Sequence, residues 1–114
     1  MRFLFSLVLS FLALLSICNN LVFSEELIVD LDAGEQVFSQ NCVSCHAGGN
    51  NLVNPEKTLS LEHLDKNKKA SIKGIITQVT YGANGMPVFS ERLSEEEIMN
   101  VANYVLSQAQ NNSW

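Results

Sequence analysis

Cysteine, histidine, tryptophan and proline are all scarce in this chain of 114 residues, which has three cysteines, two histidines, one tryptophan and two prolines. Two of the cysteines, Cys42 and Cys45, lie three positions apart, and the third, Cys18, falls in an apolar stretch near the N-terminus. So few cysteines exclude a framework of several disulfide bonds. Basic residues are also few, seven against twelve acidic ones, and we therefore expect no nucleic-acid partner.

Charge is almost absent from the first 24 residues, in which Arg2 is the only charged side chain. The run from Phe3 to Ile17 is apolar apart from three serines, and it is shorter than the roughly 20 residues that a transmembrane helix needs. A basic N-terminus followed by such a run is typical of an export signal. We therefore expect residues 1–24 to be a signal peptide cleaved after Ser24. Residues 25–114 then form one domain, with no stable membrane insertion.

Cys18 allows a second interpretation of this region. The segment Leu15–Cys18 resembles a lipoprotein box, which would tether the mature chain through a lipid on the cysteine. Such boxes have a small residue just before the cysteine, whereas Ile17 is large, so we favour removal of Cys18 with the signal peptide. Cleavage takes away one basic residue and no acidic one, which leaves a formal charge of −6.

The most reactive group of residues is Cys42-Val43-Ser44-Cys45-His46, the attachment signature of c-type haem. The two thiols lie three positions apart, so one helical turn presents both on the same face, where they can add to the two vinyl groups of the macrocycle. His46 then lies beneath the ring, where its imidazole can be the proximal ligand of the iron. The motif therefore predicts one covalently bound haem c.

Two other interpretations of this motif have less support. A redox-active Cys-x-x-Cys normally opens a helix within a βαβ unit, and nothing strand-like precedes Cys42. A zinc site would need more ligands, but the chain beyond His46 offers only His63 and no further cysteine. A haem would also supply the apolar centre that so small a domain needs.

The segment Gly85-Met86-Pro87 is the second chemical landmark. A haem iron with histidine on one side needs a ligand on the other, and the thioether of Met86 is soft and neutral, which raises the potential. Met99 falls in a helical pattern, where a core role is favoured over ligation. We expect Val88 and Phe89 to form an apolar rim beside Met86.

Hydrophobic periodicity predicts an all-α domain of about four helices around one haem, without strands. The first predicted helix runs from about Ala33 to Cys45, with a capping box of Asp32 and Glu35. The others are residues 60–67, residues 71–81 and a last helix that begins at a capping box of Ser94 and Glu97. In the second of these helices His63 is expected to face solvent.

These residues together resemble the cytochrome c6 family of cyanobacteria and algae. The resemblance rests on Asp30–Phe38, Asn41–Asn51, Gln78–Thr80, Gly85–Pro87, Phe89, Arg92–Ser94, Val101–Val105 and Trp114. It implies the class I cytochrome c fold, in which the Gly34–Phe38 face of the first helix crosses the last helix near Tyr104. The chain departs from the family at the extra segment Glu25–Val29 and at Ser90-Glu91.

The resemblance also implies roles for individual residues. Cys42 and Cys45 would form the thioether bonds, and His46 and Met86 would be the axial ligands. Gln78 would be the haem-side glutamine that keeps the potential high, and Arg92 would contact the partner near the haem edge.

The function implied is that of a soluble one-electron carrier, not an enzyme, because both axial positions of the iron are filled by protein. By resemblance it moves electrons from cytochrome f of the cytochrome b6f complex to photosystem I in the thylakoid lumen. Two other classes stay open as hypotheses: a respiratory cytochrome that feeds an oxidase, and a haem enzyme such as a peroxidase.

Overall fold

The computed structural model describes residues 1–18 and 27–114, and all regular elements in these two ranges are helices. They are α1 (Arg2–Cys18), α2 (Leu31–Asn41), α3 (Val43–His46), α4 (Leu61–Lys66), α5 (Ile72–Tyr81) and α6 (Glu95–Asn111), with a 3-10 turn over Ala47–Gly49. An isolated bridge joins Ala83 to Met86, and no strand occurs in the described ranges. The prediction of an all-α domain is confirmed.

Helix α1 covers most of the predicted export signal. Its large apolar side chains are exposed, for example Phe3 at 84% and Phe11 at 66%. The predicted cleavage point after Ser24 lies outside the described residues. Among the helices of the described ranges, none has the length and apolar character that would let it cross a membrane.

Helix α2 begins earlier than predicted, and the capping box at Asp32 and Glu35 is wrong. The N-cap is Asp30, which has an extended backbone and accepts a hydrogen bond of 2.9 Å from the backbone N–H of Ala33. A distant contact fixes this start, because the Asp30 N–H donates to the side-chain oxygen of Asn100 at 3.0 Å. Asp32 instead lies in the first turn, where the helix dipole favours a negative charge.

The predicted continuous helix from Ala33 to Cys45 is also wrong, because the helix breaks at Cys42. Helix α2 ends at Asn41, Cys42 has φ −118°, and α3 starts again at Val43. The side-chain amide of Asn41 donates to the carbonyl of Val37 at 2.9 Å, a back-bonding pattern that bends helices. The break turns Cys42 relative to α2 and gives the cysteine pair its own short helical turn.

The core forms where α2 crosses α6. Gly34 lies directly on the backbone of Asn100, and a Cβ at position 34 would come 2.9 Å from the Cβ of Tyr104. One turn later the rings of Phe38 and Tyr104 lie 5.5 Å apart. The predicted crossing of the Gly34–Phe38 face near Tyr104 is therefore confirmed. Asn100 is only 4% exposed, although it is polar.

The starts of the three later helices are those that the sequence predicts. Ser60, Ser71 and Ser94 each accept a hydrogen bond from a backbone N–H three residues on. Ser94 and Glu97 complete a capping box, with bonds of 3.2 and 2.8 Å. Helix α5 ends at Gly82, whose φ of +63° and close approach to the carbonyl of Pro87 leave no room for a side chain.

Candidate haem site

One cavity of about 430 Å³ brings together all six residues predicted to form the site. The α2–α3 junction contributes Cys42, Cys45 and His46, α5 contributes Gln78, and the segment between α5 and α6 contributes Met86 and Arg92. Its apolar lining comes from Phe38, Leu64, Ile75, Val79, Phe89, Val101 and Val105. An apolar cavity of this size with a few convergent polar groups is typical of a cofactor site.

The imidazole of His46 is oriented by the turn that follows it. Its Nδ1 lies 2.8 Å from the carbonyl oxygen of Asn50. A carbonyl only accepts, so Nδ1 carries the proton and Nε2 keeps a free lone pair. Gly48 and Gly49, with φ of +61° and +72°, make the turn that returns Asn50 to the histidine. His46 is thus held in the tautomer that can bind iron through Nε2.

The thioether of Met86 lies beside the side chain of Gln78. The Gln78 amide nitrogen is 3.8 Å from Met86 Sδ and donates to it. Both side chains are half-buried and line the cavity. A donor at the sulfur fixes one of its lone pairs and leaves the other for a soft metal ion.

The two cysteines of the cavity are free thiols. Burial, and to a lesser extent the nearby Cys45, raise the pKa of Cys42 to about 11. At neutral pH Cys42 therefore carries its proton, and a thioether bond forms by adding both sulfur and hydrogen across a vinyl group. Within the described ranges, no group of three His, Cys, Asp or Glu side chains could hold a metal ion directly. The donor set fits an iron that is carried by haem.

Arg92 is exposed at the edge of the cavity, and its guanidinium carbon lies 5.8 Å from the centre of the Phe89 ring. Phe89 itself is buried and its N–H donates to the carbonyl of Val79 at 3.1 Å, so it anchors the segment on α5. The prediction that Val88 and Phe89 both lie on an apolar rim is therefore wrong for Phe89. Val88 is 46% exposed, whereas Phe89 belongs to the core.

The prediction that His63 faces solvent is wrong. It is half-buried and lines the cavity. Its Nδ1 accepts a hydrogen bond of 3.2 Å from the backbone N–H of Thr58 and lies 2.8 Å from the Thr58 hydroxyl. Thr58, three residues before the first residue of α4, thus holds the imidazole toward the cavity. The Thr-x-Ser pattern at the start of α4 was the only sequence signal of this contact.

Comparison with known proteins agrees with this geometry. The family model described as cytochrome c oxidase, cbb3-type, subunit III matches residues 29–105. The solved structure of cytochrome c6 from the diatom Phaeodactylum tricornutum superposes with a TM-score of 0.72 and 54% identity, over 75% of this chain and 99% of that chain. Fold and site together define a class I c-type cytochrome, which binds one covalent haem c.

The sequences of the relatives identify the particular family. A cytochrome c6 from Gracilaria tenuistipitata var. liui is 56% identical over 82 residues, which are 72% of this chain and 76% of that protein. A cytochrome c6 from Petalonia fascia is 55% identical over 82 residues, which are 96% of its length. The chain belongs to the cytochrome c6 family. It is an electron-transfer protein of photosynthesis and not an enzyme.

Proposed function

We propose that this protein takes one electron from cytochrome f of the cytochrome b6f complex and delivers it to photosystem I in the thylakoid lumen. The observation that carries the proposal is the meeting of His46, Met86 and the Cys42–Cys45 pair on one cavity. In this proposal Cys42 and Cys45 would hold the haem through thioether bonds, and His46 Nε2 and Met86 Sδ would bind its iron. When bound, the haem supplies an iron that gains and loses a single electron.

The protein side chains make this site suitable for a carrier. Because His46 and Met86 would both bind the iron, they would leave it no free site for a substrate. The imidazole Nδ1–H of His46 donates to the Asn50 carbonyl at 2.8 Å, which would keep Nε2 directed to the metal. The Gln78 amide withdraws electron density from the Met86 sulfur, which favours the reduced form and keeps the potential high.

The partner would dock where the cavity edge reaches the surface. Val53, Pro87 and Arg92 line the cavity and are exposed, and Val88, which follows Pro87 in the sequence, is 46% exposed. A formal charge of −6 on residues 25–114 would steer the protein toward a basic surface, and this long-range attraction weakens as salt shortens the Debye length, which is about 10 Å at 0.1 M. We assign the association rate to the acidic residues and the productive pose to the apolar edge with Arg92.

Flash-induced oxidation by photosystem I particles over a salt series tests this assignment. The bimolecular rate should fall as salt rises, and Arg92→Glu should slow electron transfer within the complex more than it slows encounter. Lys73→Glu, a charge reversal of equal size at an exposed residue of α5, is the matched control and should spare the transfer step. A bimolecular rate that does not change with salt, together with wild-type behaviour of Arg92→Glu, would refute the docking model.

Delivery to an oxidase is a second candidate, which the description of the matching family model favours. The two candidates share the haem site and differ only in the electron acceptor. Oxidation of the reduced protein by photosystem I particles and by membranes that contain a terminal oxidase, measured side by side, separates them. Faster oxidation by the oxidase would overturn the photosynthetic assignment.

Export to the lumen rests on the N-terminal segment. We propose cleavage after Ser24, which leaves residues 25–114 as the mature protein. The intact mass of the exported protein tests the cleavage point. A mass that retains Cys18 with a lipid would contradict it and favour a tethered form.

A further inference from the structure

The turn that leads into Met86 contains the one Asn-Gly pair of the sequence, Asn84-Gly85. Ala83 and Met86 pair across it through two backbone hydrogen bonds, one from Ala83 N–H to the Met86 carbonyl at 3.3 Å and one in the opposite direction at 2.8 Å. Asn84 has φ +33° and Gly85 has φ +95°. Positive φ at both central residues is the pattern of a type I′ turn, which favours Asn-Gly.

Both groups needed for an intramolecular reaction are available in this turn. Its two hydrogen bonds use only the backbone of Ala83 and Met86, and within residues 27–114 neither the Asn84 side-chain amide nor the Gly85 N–H has a hydrogen-bond partner. Both residues are exposed, and Gly85 has no Cβ to shield its nitrogen. Neither group therefore has to give up a hydrogen bond of its own before the ring can close.

Asn51 provides a contrast within the same cavity wall. Its amide nitrogen donates to the carbonyl of Lys57 at 2.9 Å. Its side-chain oxygen accepts from the backbone N–H groups of Val53 and Asn54 at 3.1 and 2.8 Å. An attack on that side chain would have to break this network first. Asn84 thus differs from Asn51 in two ways: it is followed by glycine, and its side-chain amide has no hydrogen bond within residues 27–114.

We propose that Asn84-Gly85 is a site of spontaneous deamidation that introduces a carboxylate into the cavity wall. The Gly85 nitrogen gives its proton to hydroxide and attacks the side-chain carbonyl carbon of Asn84. The new C–N bond closes a five-membered succinimide ring, and the side-chain nitrogen takes a proton from water and leaves as ammonia, which regenerates the hydroxide. Water then opens the ring at either carbonyl and yields aspartate or isoaspartate, with no change of oxidation state.

The two products change the site in different ways. Aspartate keeps the backbone and adds one negative charge to a wall that Lys57, Lys69 and Arg92 also line. Isoaspartate routes the main chain through the former side chain and lengthens it by one carbon between Ala83 and Met86. The two-residue turn cannot keep both of its hydrogen bonds at that length, so Met86 is displaced from Gln78. This second consequence rests on the proposed function, in which Met86 Sδ is an iron ligand.

Ageing of the purified haem-loaded protein at neutral and mildly alkaline pH tests the site. Peptide mass mapping measures amide-to-acid conversion at each asparagine, and labelling by protein isoaspartyl methyltransferase measures isoaspartate. We expect conversion at Asn84 to be about tenfold faster than at Asn51, which is about 1.4 kcal/mol of activation free energy. It should accelerate with pH, because the attacking nitrogen must lose its proton. The isoaspartate fraction should lose the sulfur-to-iron charge-transfer band.

Two variants make the result decisive. Asn84→Gln keeps an amide but needs a larger ring and should abolish the conversion, whereas the matched control Asn51→Gln should leave conversion at Asn84 unchanged. Equal rates at Asn84 and Asn51, or isoaspartate labelling of Asn84→Gln as fast as that of the wild type, would overturn the proposal. If isoaspartate forms and the band persists, the effect on Met86 is overturned while the deamidation site stands. If instead Met86→Ala keeps the band, the ligand assignment itself has failed.

Discussion

Replacement of Gln78 by leucine should lower the reduction potential. The wild-type amide donates to Met86 Sδ at 3.8 Å from a half-buried position on the cavity wall. Leucine has a similar size and no donor, so the change removes the hydrogen bond without leaving an unpaired polar group. The sulfur of Met86 gives more electron density to the metal in the oxidised state, and it is then a poorer acceptor for the amide. The bond therefore stabilises the reduced state more.

The size of the shift follows from the strength of such a bond. A net contribution at the lower end of the usual range, about 0.5–1 kcal/mol, suits a weak sulfur acceptor. If the whole contribution is lost on oxidation, the one-electron potential falls by about 20–40 mV, since 59 mV corresponds to a tenfold change in the equilibrium constant.

A spectroelectrochemical titration of both proteins measures this difference. Gln110→Leu is the matched control, because Gln110 is an exposed glutamine of α6 outside the cavity wall. A rise in potential on Gln78→Leu, or a fall no larger than that of the control, would refute the role assigned to the amide.

Three further predictions follow from the site and the core. Met86→Ala should open the iron to added ligands and remove the sulfur-to-iron band in an optical spectrum. Met99→Ala should keep the band, because Met99 lies in α6 away from the cavity wall. The opposite result would mean that Met99, and not Met86, is the ligand. Gly34→Ala should lower the free energy of unfolding by about 1–3 kcal/mol in a denaturant titration, since the new Cβ would overlap the Asn100 backbone, whereas Gln36→Ala on the exposed face should change it little. Burial, and then the charge of Glu35, raise the pKa of Tyr104 above its usual 10.0. The folded state then binds more protons than the unfolded state, so stability should fall as the pH rises above 10.0. Thermal melts over a pH series measure this fall, which should be smaller in Tyr104→Phe.

Local signals were enough to predict most of the fold. The serines at positions 60, 71 and 94 cap helices through contacts three residues away, and the glycine at 82 ends a helix by its own backbone conformation. The start of α2 was missed because Asp30 and Asp32 both offer a capping carboxylate, and the bond from the Asp30 N–H to Asn100, 70 positions away, favours Asp30. Sequence periodicity carries no information about such a contact.

The site was predictable in its residues but not in its supporting contacts. The spacing of Cys42, Cys45 and His46 is short and specific, and Met86 is marked by its flanking glycine and proline. The bond of the Asn50 carbonyl to the imidazole depends on the backbone of a glycine turn, which a side-chain motif does not encode. His63 was placed on the wrong face because periodicity ranks polar side chains as exposed, while Thr58 offers this one a buried donor.

The segment that carries Met86 is bound to α5 at both ends, and this has a consequence for the speed of electron exchange. Gly82 N–H donates to the Gln78 carbonyl at 2.8 Å before the turn, and Phe89 N–H donates to the Val79 carbonyl at 3.1 Å after it. Between these points the sulfur contacts the Gln78 amide. These contacts hold the Met86 segment on α5, so if Met86 binds the iron, as proposed, the sulfur position should differ little between the two oxidation states. A small displacement means a small reorganisation energy, and the electron can leave as soon as the partner has docked.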